Sequence, residues 1–132
     1  MIKRRGPVKR KNKTLEHQIQ SNIMIALILH NCEVYRGNVA LLYTKDGRRM
    51  RTGLPAGFPD LFGFKKSNQK MFFIEVKTPT GRIRQSQINF HMALMHDHAI
   101  HGIARSIDEA FKIVDKELVG CGYPDTKEKL WL

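Results

Sequence analysis

At 132 residues the chain has the length of one domain, and a hydrophobic fraction of 42% is enough to close a single core. A formal net charge of +11 favours a polyanionic partner, and no stretch reaches the ~20 apolar residues of a bilayer span, which argues against a membrane protein. Two cysteines, Cys32 and Cys121, make no disulfide framework, which argues against a cystine-stapled secreted scaffold.

Seven of the first thirteen residues are basic (Lys3, Arg4, Arg5, Lys9, Arg10, Lys11 and Lys13) and none is acidic. Residues 1–13 therefore read as a flexible arm whose Lys9, Arg10 and Lys11 meet phosphates, although a solvated tail has the same composition. The apolar run Ile23 to Leu29 behind it does not read as a secretory signal. Polar residues Glu16-His17-Gln18 and Gln20-Ser21-Asn22 intervene, and no small-residue cleavage site follows. A soluble cytoplasmic protein is expected.

From Thr14 to Asn31 the residues Leu15, Ile19, Ile23 and Leu27 recur every fourth position, which predicts a first amphipathic helix with Glu16 and Gln20 together beside its buried stripe. Glu33 to Asn38 reads as a strand that Val39 to Tyr43 extends or follows. Lys45 to Arg49, with Arg51, reads as a basic loop, and Gly53, Pro55, Gly57 and Pro59 argue against regular structure before Asp60. Asp60 to Phe64 and Met71 to Lys77 then predict an antiparallel hairpin closed by the polar loop Lys65 to Lys70.

Gln85 to His96 carries Ile88, Met92 and Met95 at helical spacing, and Ala99 to Arg105 reads as a further strand. Ser106 and Glu109 form a capping-box pattern that opens a third helix, with Ile107, Ala110, Phe111, Val114 and Leu118 as its stripe and Gly120 as its end. The predicted order is αβββαβα, an α/β fold with a mixed central sheet flanked by helices. The domain is expected over 14–119 and a polar tail over 120–132.

Successive strand side chains alternate faces, so Glu75 and Lys77 point the same way about 6.6 Å apart while Val76 faces the core. If Asp60 begins the neighbouring strand, its carboxylate converges on Glu75. Two adjacent carboxylates repel unless a cation lies between them, and hard oxygen donors suit Mg²⁺ or Mn²⁺. Lys77 beside them can orient or deprotonate a water and stabilise a pentacovalent phosphorus. Those are the needs of phosphodiester hydrolysis. Taken alone, a Pro-Asp dipeptide is usually a turn and E-x-K on a strand usually an ion pair. Pro124-Asp125, with no E-x-K after it, reads as a turn.

Together, Pro59-Asp60 and Glu75-Val76-Lys77 with a hairpin between them resemble the PD-(D/E)XK nuclease core. The order Glu16-His17-Gln18-Ile19-Gln20, Val34-Tyr35-Arg36, Gly57-Phe58-Pro59-Asp60, Phe73-Ile74-Glu75-Val76-Lys77 and then Gln87 is similar to the VRR-NUC (virus-type replication-repair nuclease) family, over about Thr14 to Leu118. The resemblance implies that Asp60, Glu75 and the Val76 carbonyl bind metal, that Lys77 is catalytic, that Glu16 completes the acidic cluster, and that Gln87 braces Lys77 or the water. It also implies a stand-alone phage or bacterial endonuclease, a homodimer acting on branched DNA such as Holliday junctions. Arg48, Arg49 and Arg51, and Arg82 and Arg84 before the second helix, are candidate phosphate contacts outside that pattern. A structural zinc site built from His91, His96, His98, His101 and a cysteine is the rival chemistry, but the spacing matches no tight ligand pair. A non-catalytic nucleic-acid-binding module on the same fold is the alternative function.

Overall fold

The computed structural model describes residues 7–37 and 39–124. Its elements are α1 (Pro7–Leu29), β1 (Cys32–Arg36), β2 (Val39–Tyr43), β3 (Arg49–Gly53), β4 (Leu61–Lys65), β5 (Met71–Val76), α2 (Gln85–His96), β6 (Ile100–Ala104), α3 (Ile107–Asp115) and β7 (Val119–Cys121). The expected helix–strand–hairpin–helix–strand–helix order is present, with β2 and β3 inserted and β7 added.

Helix α1 starts at Pro7 and not at Thr14. Proline at the first helical position loses only an N–H that has no intrahelical partner. Half of the supposed arm thus continues the helix, and residues 1–6 lie outside the described residues. Ile23 and Leu27 are fully buried, as their spacing demands, whereas Leu15 near the start is exposed. The helix stops where Asn31 adopts φ 64, a left-handed conformation that asparagine tolerates.

Five strands make one mixed sheet in the order β1-β4-β5-β6-β7. β1, β4 and β5 run antiparallel to their neighbours, with Leu61 opposite Ile74, and β5, β6 and β7 are parallel because α2 and α3 carry the chain across between them. Phe72, Ile74 and Val76 join Ile23 and Leu27 of α1 and Ala110, Ile113 and Val114 of α3 in one core. Alternation sends Phe73 and Glu75 to the opposite face, towards α2. There Phe58 packs edge-on against Phe62, Phe73 and Phe90 at ring centroid distances of 5.4, 5.9 and 5.1 Å.

Three expectations change. The basic loop Lys45 to Arg51 is a turn followed by strand β3, which pairs with β2 as a separate two-stranded sheet. No alternation of apolar residues announces β3, whose sequence Arg49-Met50-Arg51-Thr52-Gly53 holds one large apolar side chain. The third helix ends at Asp115, and Leu118 leads into β7 beside β6 in place of a helical end. Glu109 does return a hydrogen bond, but to the N–H of Arg105 at 2.8 Å and not to that of Ser106, while the Ser106 hydroxyl accepts from the Glu109 N–H at 3.2 Å. The rest of the tail, including Asp125, Trp131 and Leu132, lies outside the described residues. Among the described residues no helix is long and apolar enough to cross a membrane.

Candidate active site

Asp60 stands immediately before β4, one step beyond the Leu61–Ile74 pair and therefore across from Glu75. Its Oδ2 accepts the Val76 backbone N–H at 2.8 Å, which aims the carboxylate across the strand gap and brings the Val76 peptide beside the acidic pair. Glu75 is 2% exposed, and its carboxyl group shares a hydrogen bond with Asp60. Burial first, then the charge of Asp60, pushes the Glu75 carboxyl up to about 10, more than Lys77 can offset. Two converging carboxylates whose mutual repulsion Lys77 does not offset are a fitting pair of oxygen ligands for a hard divalent cation. Among the described residues no three histidine, cysteine, aspartate or glutamate side chains form a cage. The fit is therefore to an ion that takes one or two carboxylates and keeps several waters, as Mg²⁺ does.

Lys77, just past the end of β5, is buried on the same face as Glu75. Its Nζ lies 3.9 Å from Glu75 Oε2 and 4.0 Å from Glu16 Oε1, so Glu16 does arrive at the site from α1. Gln87 is fixed at both ends. Its Oε1 accepts the Arg84 backbone N–H at 2.9 Å, and its Nε2 donates to Glu75 Oε2 at 3.0 Å. An N–H can only donate, so the first bond settles which end of the amide faces the carboxylate. Gln87 thus braces Glu75, where Lys77 or a water was the expected partner. Gln20 is directed elsewhere: it accepts from Arg36 Nη1, and Arg36 Nη2 donates to Ser21 Oγ at 3.1 Å.

Of the candidate phosphate contacts, Arg82 and Arg84 are exposed ahead of α2, and Arg48 and Arg49 are exposed on the β2–β3 hairpin. Arg51 sits at the register position opposite Leu41. Lys9, Arg10 and Lys11 fall within α1, and their side chains lie outside the described residues.

Two supports escaped the sequence reading. Arg105, after β6, donates from Nη1 to the carbonyls of Thr78 and Gly81, the latter at 3.0 Å, and so pins the turn that follows Lys77. Tyr123 stacks on His91 with centroids 3.9 Å apart and planes 5° from parallel. Burial, followed by the negative charge of Glu75 and Asp60, pushes its hydroxyl above the usual tyrosine range, so the segment after β7 backs the acidic pair. Arg105 has a weak signal in its place after a buried strand; Tyr123 has none, since only the parallel placement of β7 brings it in.

The histidines pair with each other. His91 Nδ1 and His101 Nε2 are 2.8 Å apart, and His101 Nδ1 donates to the Ala99 carbonyl at 2.7 Å. His101 Nε2 must then accept, so His91 carries its proton on Nδ1. His91 is 3% exposed, and burial together with His101 lowers it to about 4; burial lowers His101 as well. The unfolded chain takes up a proton near pH 6.5 that native His91 refuses until about 4. Stability is therefore full above pH 6.5 and falls as acid is added. His91 alone should remove about 2 kcal/mol between pH 7.5 and 5, read as a drop in the urea midpoint. His91→Gln, which keeps a donor for His101 but cannot titrate, should flatten that slope.

The VRR-NUC domain model matches residues 41–107, about half of the chain, a span that contains Asp60, Glu75, Lys77 and Gln87 but not Glu16. Neither a curated protein nor a solved structure matches the chain. The family match and the α/β architecture with its mixed five-stranded sheet agree: the chain belongs to the VRR-NUC family, and its domain is of nuclease type.

Proposed function

We propose that this protein is a Mg²⁺- or Mn²⁺-dependent endodeoxyribonuclease, structure-selective for branched DNA such as Holliday junctions and acting as a homodimer. The observation that carries the metal-dependent chemistry is the pairing of half-buried Asp60 with fully buried Glu75, with Lys77 on the same strand face. Asp60, Glu75 and the Val76 carbonyl would hold the cation, which when bound would neutralise the pair and polarise the scissile phosphate. Asp60 is oriented by the Val76 N–H and Glu75 by Gln87, so neither carboxylate needs to reorganise when substrate arrives. Lys77, held between Glu75 and Glu16, orients the attacking water and as an ammonium faces the charge that gathers on phosphorus, while its neutral amine form can take that water's proton. Glu16 holds the outer side of that ammonium.

The branched substrate rests on the family resemblance; a homodimer would carry two sites related by a two-fold axis, which would suit paired nicks. The test compares cleavage of an immobile four-way junction and of a linear duplex of the same arms, with Mg²⁺ or Mn²⁺, beside the sedimentation of the protein. The junction should be cut at least about tenfold faster, equivalent to ~1.4 kcal/mol, by paired symmetric nicks from a dimer. Equal rates would remove the branch selectivity. No cleavage of either DNA, with binding retained, would leave a binding module.

A further inference from the structure

The β2–β3 hairpin has no part in the chemistry just described, yet it is rooted at the site. The chain leaves β1 at Arg36, and the next residue, Gly37, donates its N–H to the carbonyl of Asp60 at 2.7 Å. It returns from β3 through residues 54–59 to the same aspartate. Between these points, among the described residues, Val39–Tyr43 and Arg49–Gly53 pair only with each other, with Tyr43 opposite Arg49 and Leu42 opposite Met50.

The turn at the far end is well made. The Thr44 N–H donates to the Arg48 carbonyl at 2.9 Å, the Arg48 N–H to Thr44 Oγ1 at 3.0 Å, and Gly47 takes φ 85 with nothing within 4 Å of where its Cβ would stand. A defined tip thus stands in open solvent. Around it Tyr43 is 68% and Met50 52% exposed, and the Arg48 side chain is 78% exposed. Residues 43–51 hold Lys45, Arg48, Arg49 and Arg51 against the single acid Asp46.

A two-stranded ribbon on its own is marginal in water, and the large aromatic side chain of Tyr43 left open on it marks the face that makes contact. Its charge selects a phosphate backbone, and its shape selects a duplex. Two strands about 4.8 Å apart with their side chains match the ~12 Å width of the major groove. Five residues extend about 17 Å, which is about five base-pair steps at ~3.4 Å each. By alternation Tyr43 and Arg49 share one face and Met50 lies on the other.

We propose that this ribbon lies in the major groove of the duplex beside the cleaved phosphate, with the Tyr43–Arg49 face towards the base edges and Arg48 on the backbone. The proposal rests on the nuclease reading and narrows it: the enzyme requires paired DNA on at least one side of the cut.

The test uses the full chain in EDTA, with fluorescence anisotropy on a labelled duplex and on one strand of it, for wild type, Tyr43→Ala, Arg49→Ala, Arg48→Ala and Met50→Ser. Tyr43→Ala and Arg49→Ala should each weaken duplex binding about tenfold while changing single-strand binding less than about twofold. Arg48→Ala should lower the slope of log affinity against log salt by about 0.9, and Met50→Ser should leave both affinities alone. Equal losses on duplex and single strand, or a loss on the single strand only, would overturn the groove assignment. So would unchanged DNA binding with a lower oligomeric order for Tyr43→Ala or Met50→Ser in sedimentation, which would make a second copy the occupant. Urea midpoints of all variants confirm folding. Cleavage by wild type in Mg²⁺, run in parallel, separates the two readings: its absence removes the nuclease assignment, whereas its presence with unaffected ribbon variants removes only the ribbon.

Discussion

Lys77→Ala is expected to slow single-turnover DNA cleavage in Mg²⁺ by about 10²–10⁴-fold, the range associated with removing a positioned proton-transfer group or a charge stabiliser. The lysine is buried 3.9 Å from Glu75 and 4.0 Å from Glu16, where no solvent cation can take its place in the same geometry. Lys77→Arg keeps the charge but cannot release a proton, so it divides the effect: recovery marks charge stabilisation, and continued slowness marks proton transfer. Asp60→Asn keeps the size of the side chain and removes its charge, and should fall in the same range. Residues that act as one unit are not additive, so the double variant should be little worse than the slower single one. A wild-type rate in both single variants would show that the acidic pair is structural.

Gly57→Ala should cost about 2–4 kcal/mol of stability, summed from a strained backbone and an overpacked contact. Gly57 holds φ 82, and a Cβ there would stand 2.0 Å from the Ser86 carbonyl oxygen and 3.1 Å from the Gln87 nitrogen. Those atoms are backbone at the start of α2 and cannot swing aside. The helix must move outward, and Gln87 then loses its reach to Glu75, so cleavage should drop in the folded fraction as well. Gly47→Ala is the control. It shares the positive φ at 85 but has nothing within 4 Å, so only the backbone strain of about 1 kcal/mol remains. Urea midpoints of the two variants, with unchanged m-values, check the difference; equal midpoints would mean that the α2 contact yields without cost.

Much of this arrangement was legible because the buried face of each main element repeats at its own period. Ile19, Ile23 and Leu27 mark α1, and the alternation of Phe72, Ile74 and Val76 against Phe73 and Glu75 identifies both faces of β5 before any coordinates. The same alternation placed Glu75 and Lys77 together, and the hairpin brought Asp60 opposite. What could not be read is what has no buried period or no local partner. Residues 7–13 continue a helix without an apolar stripe, and Arg49-Met50-Arg51-Thr52-Gly53 forms a strand without an apolar alternation. Gln87 was expected near the site but its double attachment was not, since it depends on where α2 begins relative to β5. The His91–His101 pair comes from the packing of α2 on β6, and the place of Tyr123 from the parallel pairing of β6 and β7, relations set by the whole sheet and not by spacing along the chain.

The two-ended attachment of Gln87 makes the order of the carboxylate and the integrity of a helix end a single cooperative event. One amide holds both the Arg84 N–H, at the frayable start of α2, and Glu75 Oε2. Unwinding of that first turn withdraws the donor from the glutamate at the same moment. The fraction of molecules with a fully braced Glu75 therefore cannot exceed the fraction whose second helix is wound to its first residue, so local helix–coil equilibrium sets an upper limit on the order of that carboxylate.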